Sequence, residues 1–167
     1  EMLRSLVGSE MCIRDSPVLS RSSGEATGDE LASADGVARG GYVLAEARNG
    51  TPEVIIIATG SEVAIALEAR EQLESEGTAT RVVSMPCVEW FDEQDEAYRA
   101  SVLPADVTAR VSVEAGIALG WHRFIGDRGR AVSIESFGES GDGPVLYREL
   151  GMTREAVVAA ARESLAS

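Results

Sequence analysis

A chain of 167 residues is long enough for one domain with a proper core, and 44% apolar with 26% charged residues fits a soluble globular protein. The net charge of −13 argues against a nucleic-acid surface, which needs a basic stripe, and no apolar run reaches the length of a membrane-spanning helix. All fifteen basic residues are arginine, which excludes Schiff-base or phosphate-loop lysine chemistry within this chain.

In chain order, the opening segment stands apart. The sequence starts at Glu1 rather than a methionine and reads as a fragment, and residues 6–16 look like the translation of a transposon-type sequencing adaptor. Residues 1–16 are therefore set aside as an artefact, expected to be disordered; they have neither the basic start nor the apolar stretch of a signal peptide. Cys87 is then the only cysteine, so no disulfide forms inside the domain and a reducing cytoplasm is the default compartment.

Residues 17–21 form a short extended piece, and residues 22–36 have the Ser/Gly/Glu composition of a linker. Gly40-Gly41 precedes a predicted strand over 42–46. Asn49-Gly50 is a strong turn signal toward the next strand, which suggests that these two strands pair antiparallel. The second strand carries Val54-Ile55-Ile56-Ile57-Ala58, an unbroken apolar run of the kind covered on both faces. Gly60 permits a tight turn. Ser61 and Glu62 then make a helix start, with a hydroxyl oxygen for an orphan N–H and an acid at the positive end.

The helix over 61–76 places Val63, Ala66, Leu67 and Leu73 on one face and ends at Gly77. A strand over 81–85 follows, then a helix over 93–102 stopped by Pro104. Residues 109–113 read as a strand, 116–125 as a helix and 131–134 as the final strand. Helices over 144–150 and 153–165 close the chain, the last capped by Thr153 with Val157, Val158, Ala161 and Leu165 inward. This alternation implies a three-layer α/β fold: a mostly parallel five-stranded sheet with one antiparallel strand and helices on both faces.

Several residues invite a chemical reading. Gly60-Ser61, at a strand-to-helix turn, could cradle an anion, but it lacks a three-glycine fingerprint and reads as a structural turn. His122, the only histidine, has no partner set for metal or nucleophile chemistry nearby and reads as a packed or surface residue. Cys87 has neither a neighbouring arginine nor a CxxC partner, so an activated thiolate is not expected. Glu89, Asp92, Glu93, Asp95 and Glu96 read as a solvated helix start. Glu114 stands at the carboxyl end of a strand, where α/β sites usually lie, and reads as a structural hydrogen-bonding acid.

The segments Val54-Ile55-Ile56-Ile57-Ala58-Thr59-Gly60-Ser61-Glu62-Val63, Arg81-Val82-Val83-Ser84-Met85-Pro86-Cys87-Val88-Glu89-Trp90-Phe91, Tyr98-Arg99, Val102-Leu103-Pro104 and Ala109-Arg110-Val111-Ser112-Val113-Glu114-Ala115-Gly116 follow one another in an order and spacing that resembles the C-terminal domain of transketolase. The resemblance covers roughly residues 17–165. It implies three segments: an artefact over 1–16, the end of a pyrimidine-binding domain with its linker over 17–36, and a C-terminal domain over 37–167.

The resemblance also implies the parent's activity. Transketolases move two-carbon ketol units between phosphosugars with thiamine diphosphate and a divalent cation such as Mg2+, in the pentose phosphate pathway, as homodimers whose active sites form between subunits. The catalytic apparatus belongs to upstream domains, so this fragment is expected to be inert alone, to bind no cofactor and to support the dimer; neither nucleic acid nor membrane is an expected partner. Gly141-Asp142-Gly143 resembles the opening of the family's cofactor motif, but the asparagine pair that should follow is absent, so that reading is rejected. Leu19-Ser20-Arg21 matches a family motif whose arginine contacts the substrate phosphate, and a guanidinium fork suits a phosphate dianion. The sequence departs from that motif at Ser22, where the family has glutamine. The readings kept beside this one are a stand-alone α/β ligand-binding or regulatory module, and the C-terminal domain of deoxyxylulose phosphate synthase or of a 2-oxoacid dehydrogenase β subunit.

Deleting residues 1–16 is expected to leave the thermal midpoint unchanged, because no apolar periodicity joins them to the downstream pattern. A clear loss of stability in differential scanning fluorimetry would show that the segment packs.

Overall fold

The computed structural model describes residues 31–137 and 142–167. A 3-10 turn at Ala34–Arg39 leads into strand β1 (Tyr42–Ala45); β2 (Val54–Ala58), β3 (Thr80–Ser84), β4 (Arg110–Glu114) and β5 (Arg130–Ser133) complete the strands. The helices are α1 (Glu62–Ser75), α2 (Val88–Asp92), α3 (Glu96–Val102), α4 (His122–Ile125), α5 (Gly143–Glu149) and α6 (Arg154–Ala166). The strands lie in the order β1-β3-β2-β4-β5, with β1 antiparallel to β3 and every other pair parallel. The three-layer, mostly parallel α/β fold expected from the sequence is the fold observed.

The apolar run of β2 explains the layering. Successive side chains of a strand point to opposite faces. Val54, Ile56 and Ala58 therefore face one core, with Val63, Ala66 and Leu73 of α1 and Val157, Val158 and Ala161 of α6. Ile55 and Ile57 face the other, with Val83, Met85, Phe91, Val102, Trp121, Phe124 and Ile125. All five side chains of β2 are fully buried. At about 1.5–3 kcal/mol for each large aliphatic side chain, these positions supply much of the hydrophobic drive.

The Asn49-Gly50 turn exists, with Gly50 at φ +76° and Thr51 N–H donating to Asn49 Oδ1 at 2.9 Å, but it does not build the expected hairpin. β1 pairs with β3 (Tyr42 opposite Ser84), and the two edges of β2 are taken by β3 and β4. Residues 46–53 carry the chain past β3 instead of folding it flush against β1. The Arg81 guanidinium secures this arrangement: it grips the Glu46 carboxylate at 2.9 and 2.7 Å and donates to the Ser101 and Val102 carbonyls at the end of α3.

Two expected helices are also corrected. The helix expected over 93–102 is α3, which starts only at Glu96 because the Asp95 carboxylate accepts from the Tyr98 N–H at 2.8 Å and caps it there, and the short α2 before it was not expected. The helix expected over 116–125 is a 3-10 turn at Ala118–Gly120 followed by the short α4. Here the Glu135 carboxylate takes the Ala118 N–H at 2.9 Å, and the Gly116 carbonyl accepts from Ile134 N–H at 3.0 Å, so the loop is tied to the end of β5. Thr153 caps α6 as expected, its hydroxyl oxygen accepting from Ala156 N–H at 3.2 Å. Among the described residues no helix is long and apolar enough to cross a membrane.

Leu73, fully buried between α1 and the sheet, and Leu119, 75% exposed, make a paired test of this packing. Leu73→Ala should cost about 2–5 kcal/mol in urea unfolding, and Leu119→Ala should stay within about 0.5 kcal/mol of the parent. Equal effects at the two positions would contradict the core described above.

Candidate functional site

β2 leads through α1 to β3 on one side, and the chain then crosses back to β4 on the other. The carboxyl ends of β2 and β4 thus form the point at which the strand order reverses, the crevice where open α/β sheets place ligands. Gly60, Ser61 and Glu62 follow β2, and Glu114 ends β4 with Ala115 and Gly116 after it. Gly60 sits at φ +60°, a conformation open to glycine, and turns the chain directly into α1.

The Ser61 hydroxyl does not cap α1 as expected; it makes no bond to the helix backbone. Ser61 itself has helical backbone angles, which turn its hydroxyl toward Glu62 Oε1 at 3.2 Å and the Tyr147 hydroxyl at 2.8 Å. Tyr147, from α5, donates a hydrogen bond to Glu62 Oε1. Glu62 is only 1% exposed, and its other oxygen, Oε2, is buried with no hydrogen-bond partner. Burial of Tyr147, reinforced by its bond to Glu62 and opposed by Ser61, pushes the phenol up to about 12.

Glu114 stands across the crevice. Its Oε2 accepts a hydrogen bond from the Trp121 indole N–H. This is the structural hydrogen-bonding role expected for it. Burial holds the Glu114 carboxyl above the usual carboxylate range, the Trp121 bond opposes this, and the negative charge of Glu62 raises it further. Neither acid belongs to any of the ion pairs among the described residues. The crevice therefore presents two acids that no ion pair among the described residues neutralises.

The other singled-out residues are scattered. His122 is exposed at the start of α4, and its charge helps lower the Glu135 carboxyl after the larger effects of the Ala118 N–H and Ser133 hydroxyl. Cys87 is a half-buried free thiol within 3.5 Å of Glu89 Oε2. Of the acidic cluster, Asp95 caps α3 and Asp92 pairs with Arg123 at 2.7 Å. Asp142 caps α5 by accepting from Val145 N–H, and Gly141 lies outside the described residues. Arg21 and residues 1–16 also lie outside them. Sequence reasoning missed Glu62 as a buried acid and Tyr147 as its partner. The serine and glutamate after a strand-ending glycine were visible, but a tyrosine 85 residues away was not.

These residues do not fit thiamine diphosphate. Its pyrophosphate is anionic, and the crevice presents two acids. Among the described residues no group of three or more His, Cys, Asp or Glu is placed to hold a metal ion.

An α/β domain of this topology, with its strand-order switch between β2 and β4, defines a class shared by several enzymes. Residues 40–153 match the family model described as the transketolase-like TK C-terminal domain. The chain is 56% identical over 134 residues to a transketolase of Mycobacterium leprae, covering 78% of this chain and 19% of that one. It superposes with a TM-score of 0.73 and 40% identity on transketolase from Leishmania mexicana, over 81% of this chain and 19% of that one. It also superposes, with a TM-score of 0.73 and 35% identity, on Pichia stipitis transketolase in complex with sedoheptulose 7-phosphate, over 82% of this chain and 19% of that one. The chain belongs to the transketolase C-terminal domain family. It spans about a fifth of the length of these relatives, and the reading as an unrelated stand-alone module is not favoured.

Two titrations test the crevice. Tyr147 should ionise near pH 12 in an absorbance titration at 295 nm, and Glu62→Gln should bring that transition down. A tyrosine that keeps its proton to about 12 when folded but loses it near 10 when unfolded stabilises the fold below pH 10, and that stability is lost between 10 and 12. Glu114 likewise holds its proton above its usual value of 4.5, so stability falls as pH rises from 4.5 through its folded value. Glu114→Gln should flatten that slope in pH-dependent urea unfolding; an unchanged slope would remove Glu114 as its source.

Proposed function

We propose that this chain is the C-terminal part of a transketolase, the thiamine-diphosphate-dependent transferase that moves two-carbon ketol units between phosphosugars in the pentose phosphate pathway. The observation that carries the reading is the family membership across β1 to α5, together with sequence identity above half to a curated transketolase. The parent is proposed to be cytoplasmic and homodimeric, with thiamine diphosphate and a divalent cation such as Mg2+ held by upstream domains. Residues 17–36 are the end of the pyrimidine-binding domain and its linker, residues 37–167 are the C-terminal domain, and residues 1–16 are not part of the enzyme.

Within the parent this domain supports the assembly and does no chemistry. Its crevice disfavours anionic phosphosugars as well as the cofactor's pyrophosphate, because two acids line it without a basic partner. Ile117, Leu119 and Phe137 leave large apolar surface exposed on the loops that follow β4 and β5. Apolar surface of this kind suits contact with other domains or a second subunit. Arg21 is the one residue proposed to touch substrate, as a guanidinium fork for the sugar phosphate.

The test restores the upstream sequence and assays ketol transfer. Arg21→Ala should lower kcat/KM for phosphorylated substrates roughly ten- to hundred-fold, the equivalent of about 1.5–3 kcal/mol for a hydrogen bond to a charged group. The loss should fall mainly on KM, and Arg21→Lys should recover part of it. An unphosphorylated donor should be affected far less. Equal damage with both substrate types would remove Arg21 from the site, and a restored enzyme without ketol transfer would overturn the reading as a whole.

A further inference from the structure

The exposed apolar surface of the domain is confined to one end of its sheet. Among the described residues, the large hydrophobic side chains in contact with water are Trp90, Ile117, Leu119, Phe137 and Val145. Each lies on a segment that has just left the carboxyl end of a parallel strand: Trp90 on α2 after β3, Ile117 and Leu119 after β4, Phe137 and Val145 after β5. The turns at the opposite end, over 46–53, 76–79, 103–109 and 126–129, carry none. Hydrogen bonds knit the segments together. Glu135 accepts from the Ala118 N–H at 2.9 Å and the Gly116 carbonyl from the Ile134 N–H at 3.0 Å, which holds Ile117 and Leu119 beside the segment that carries Phe137. Asp92 pairs with Arg123 at 2.7 Å and joins α2 to α4, and Tyr147 fastens α5 to Ser61 after the end of β2. Leu119 at 75% and Phe137 at 98% exposure keep most of their side chains in water, and a cluster of such residues on adjoining segments marks a protein contact.

We propose that this carboxyl edge is the face on which the upstream domain of the parent packs, with Ile117, Leu119 and Phe137 as the apolar centre and a rim that takes basic side chains. The inference rests on the reading of the chain as a piece of a transketolase. Chain path and charge choose the occupant. β1 is antiparallel to β3 and Tyr42 lies opposite Ser84, the last residue of β3, so the chain enters the sheet from this edge. The Cys87 N–H donates to the Gly40 carbonyl at 2.9 Å and ties that entry to the loop before α2. A domain attached ahead of β1 is held at high local concentration against the edge, and a contact too small to retain a free partner then suffices. Charge disfavours a second copy of this chain. Glu89, Glu93 and Glu135 are exposed on the same segments and belong to no ion pair among the described residues, while Arg123 is taken by Asp92. Two such edges face to face would set acid against acid, whereas an apolar surface edged by arginine or lysine is drawn to this one.

The test compares the 167-residue chain with the parent restored upstream, each carrying one introduced cysteine. Leu119→Cys and Phe137→Cys report on the edge, and Ala105→Cys, exposed in the turn before β4, reports on the opposite end. Alkylation by iodoacetamide is followed at each position by peptide mass spectrometry, on variants whose far-UV circular dichroism matches that of their own parent. Positions 119 and 137 should react at least about ten-fold more slowly in the restored parent than in the isolated chain, and position 105 alike in both. Glu89→Lys combined with Glu93→Lys should return part of the lost reactivity, because a basic rim is then repelled. Equal reactivity of 119 and 137 in a parent that transfers ketol units overturns the inference and leaves the transketolase reading standing, and so does an equal slowing at 105. Reactivity in the isolated chain that rises on dilution assigns the edge to a second copy and overturns the upstream occupant. Protection that the double lysine variant leaves unchanged overturns the basic partner. A parent without ketol transfer overturns the reading on which the inference rests, and the inference with it.

Discussion

The rest of the domain is arranged around a strand that has no contact with water. Every side chain of β2 is buried, two parallel neighbours take both of its edges, and helices cover both of its faces. A strand in that position must have all its peptide groups paired within the sheet, and this requires partners on either side. The chain can supply two parallel partners only by crossing over twice, through α1 to β3 and through α3 to β4. The strand-order switch is the geometric consequence of those two crossovers, and with it comes the crevice at the ends of β2 and β4.

Arginine binds this framework together in a way that lysine would not. Arg81 joins Glu46 to the carbonyl end of α3, and Arg70 donates to the Thr80 and Glu46 carbonyls. Arg110 reaches the Val107, Phe124 and Pro104 carbonyls, which ties the start of β4 to the end of α4. A planar fork with several fixed donors can satisfy carbonyls on different elements at once. With these guanidinium groups committed to the framework, the chain's acid excess remains on the surface and, at one place, inside. The unpaired acids Glu62 and Glu114 are the inward share of that imbalance.

Family membership and site chemistry point the same way. The chain matches transketolases across its sheet and most of its helices, and the crevice at the ends of β2 and β4 presents two acids. The domain's own surface offers apolar loops for contact and an acidic crevice of a different chemistry.

What the sequence by itself determined was the set of local elements. The apolar run of β2, the glycine turn after it and the caps at Thr153 and Asp95 are set by neighbours within a few residues, and periodicity or side-chain chemistry exposes them. Even so, Asp95 caps a helix that starts at Glu96, inside the span 93–102 that sequence reading took as helical throughout. Tertiary structure alone decided the partner of β1, since Asn49-Gly50 specifies a turn and not the strand that lies beside it. It also decided the fate of Ser61, whose hydroxyl went to a tyrosine on α5 rather than to its own helix. The burial of Glu62 and the environment of Glu114 belong to the same category. Both depend on groups brought together from distant parts of the chain, and no spacing in the sequence encodes that meeting.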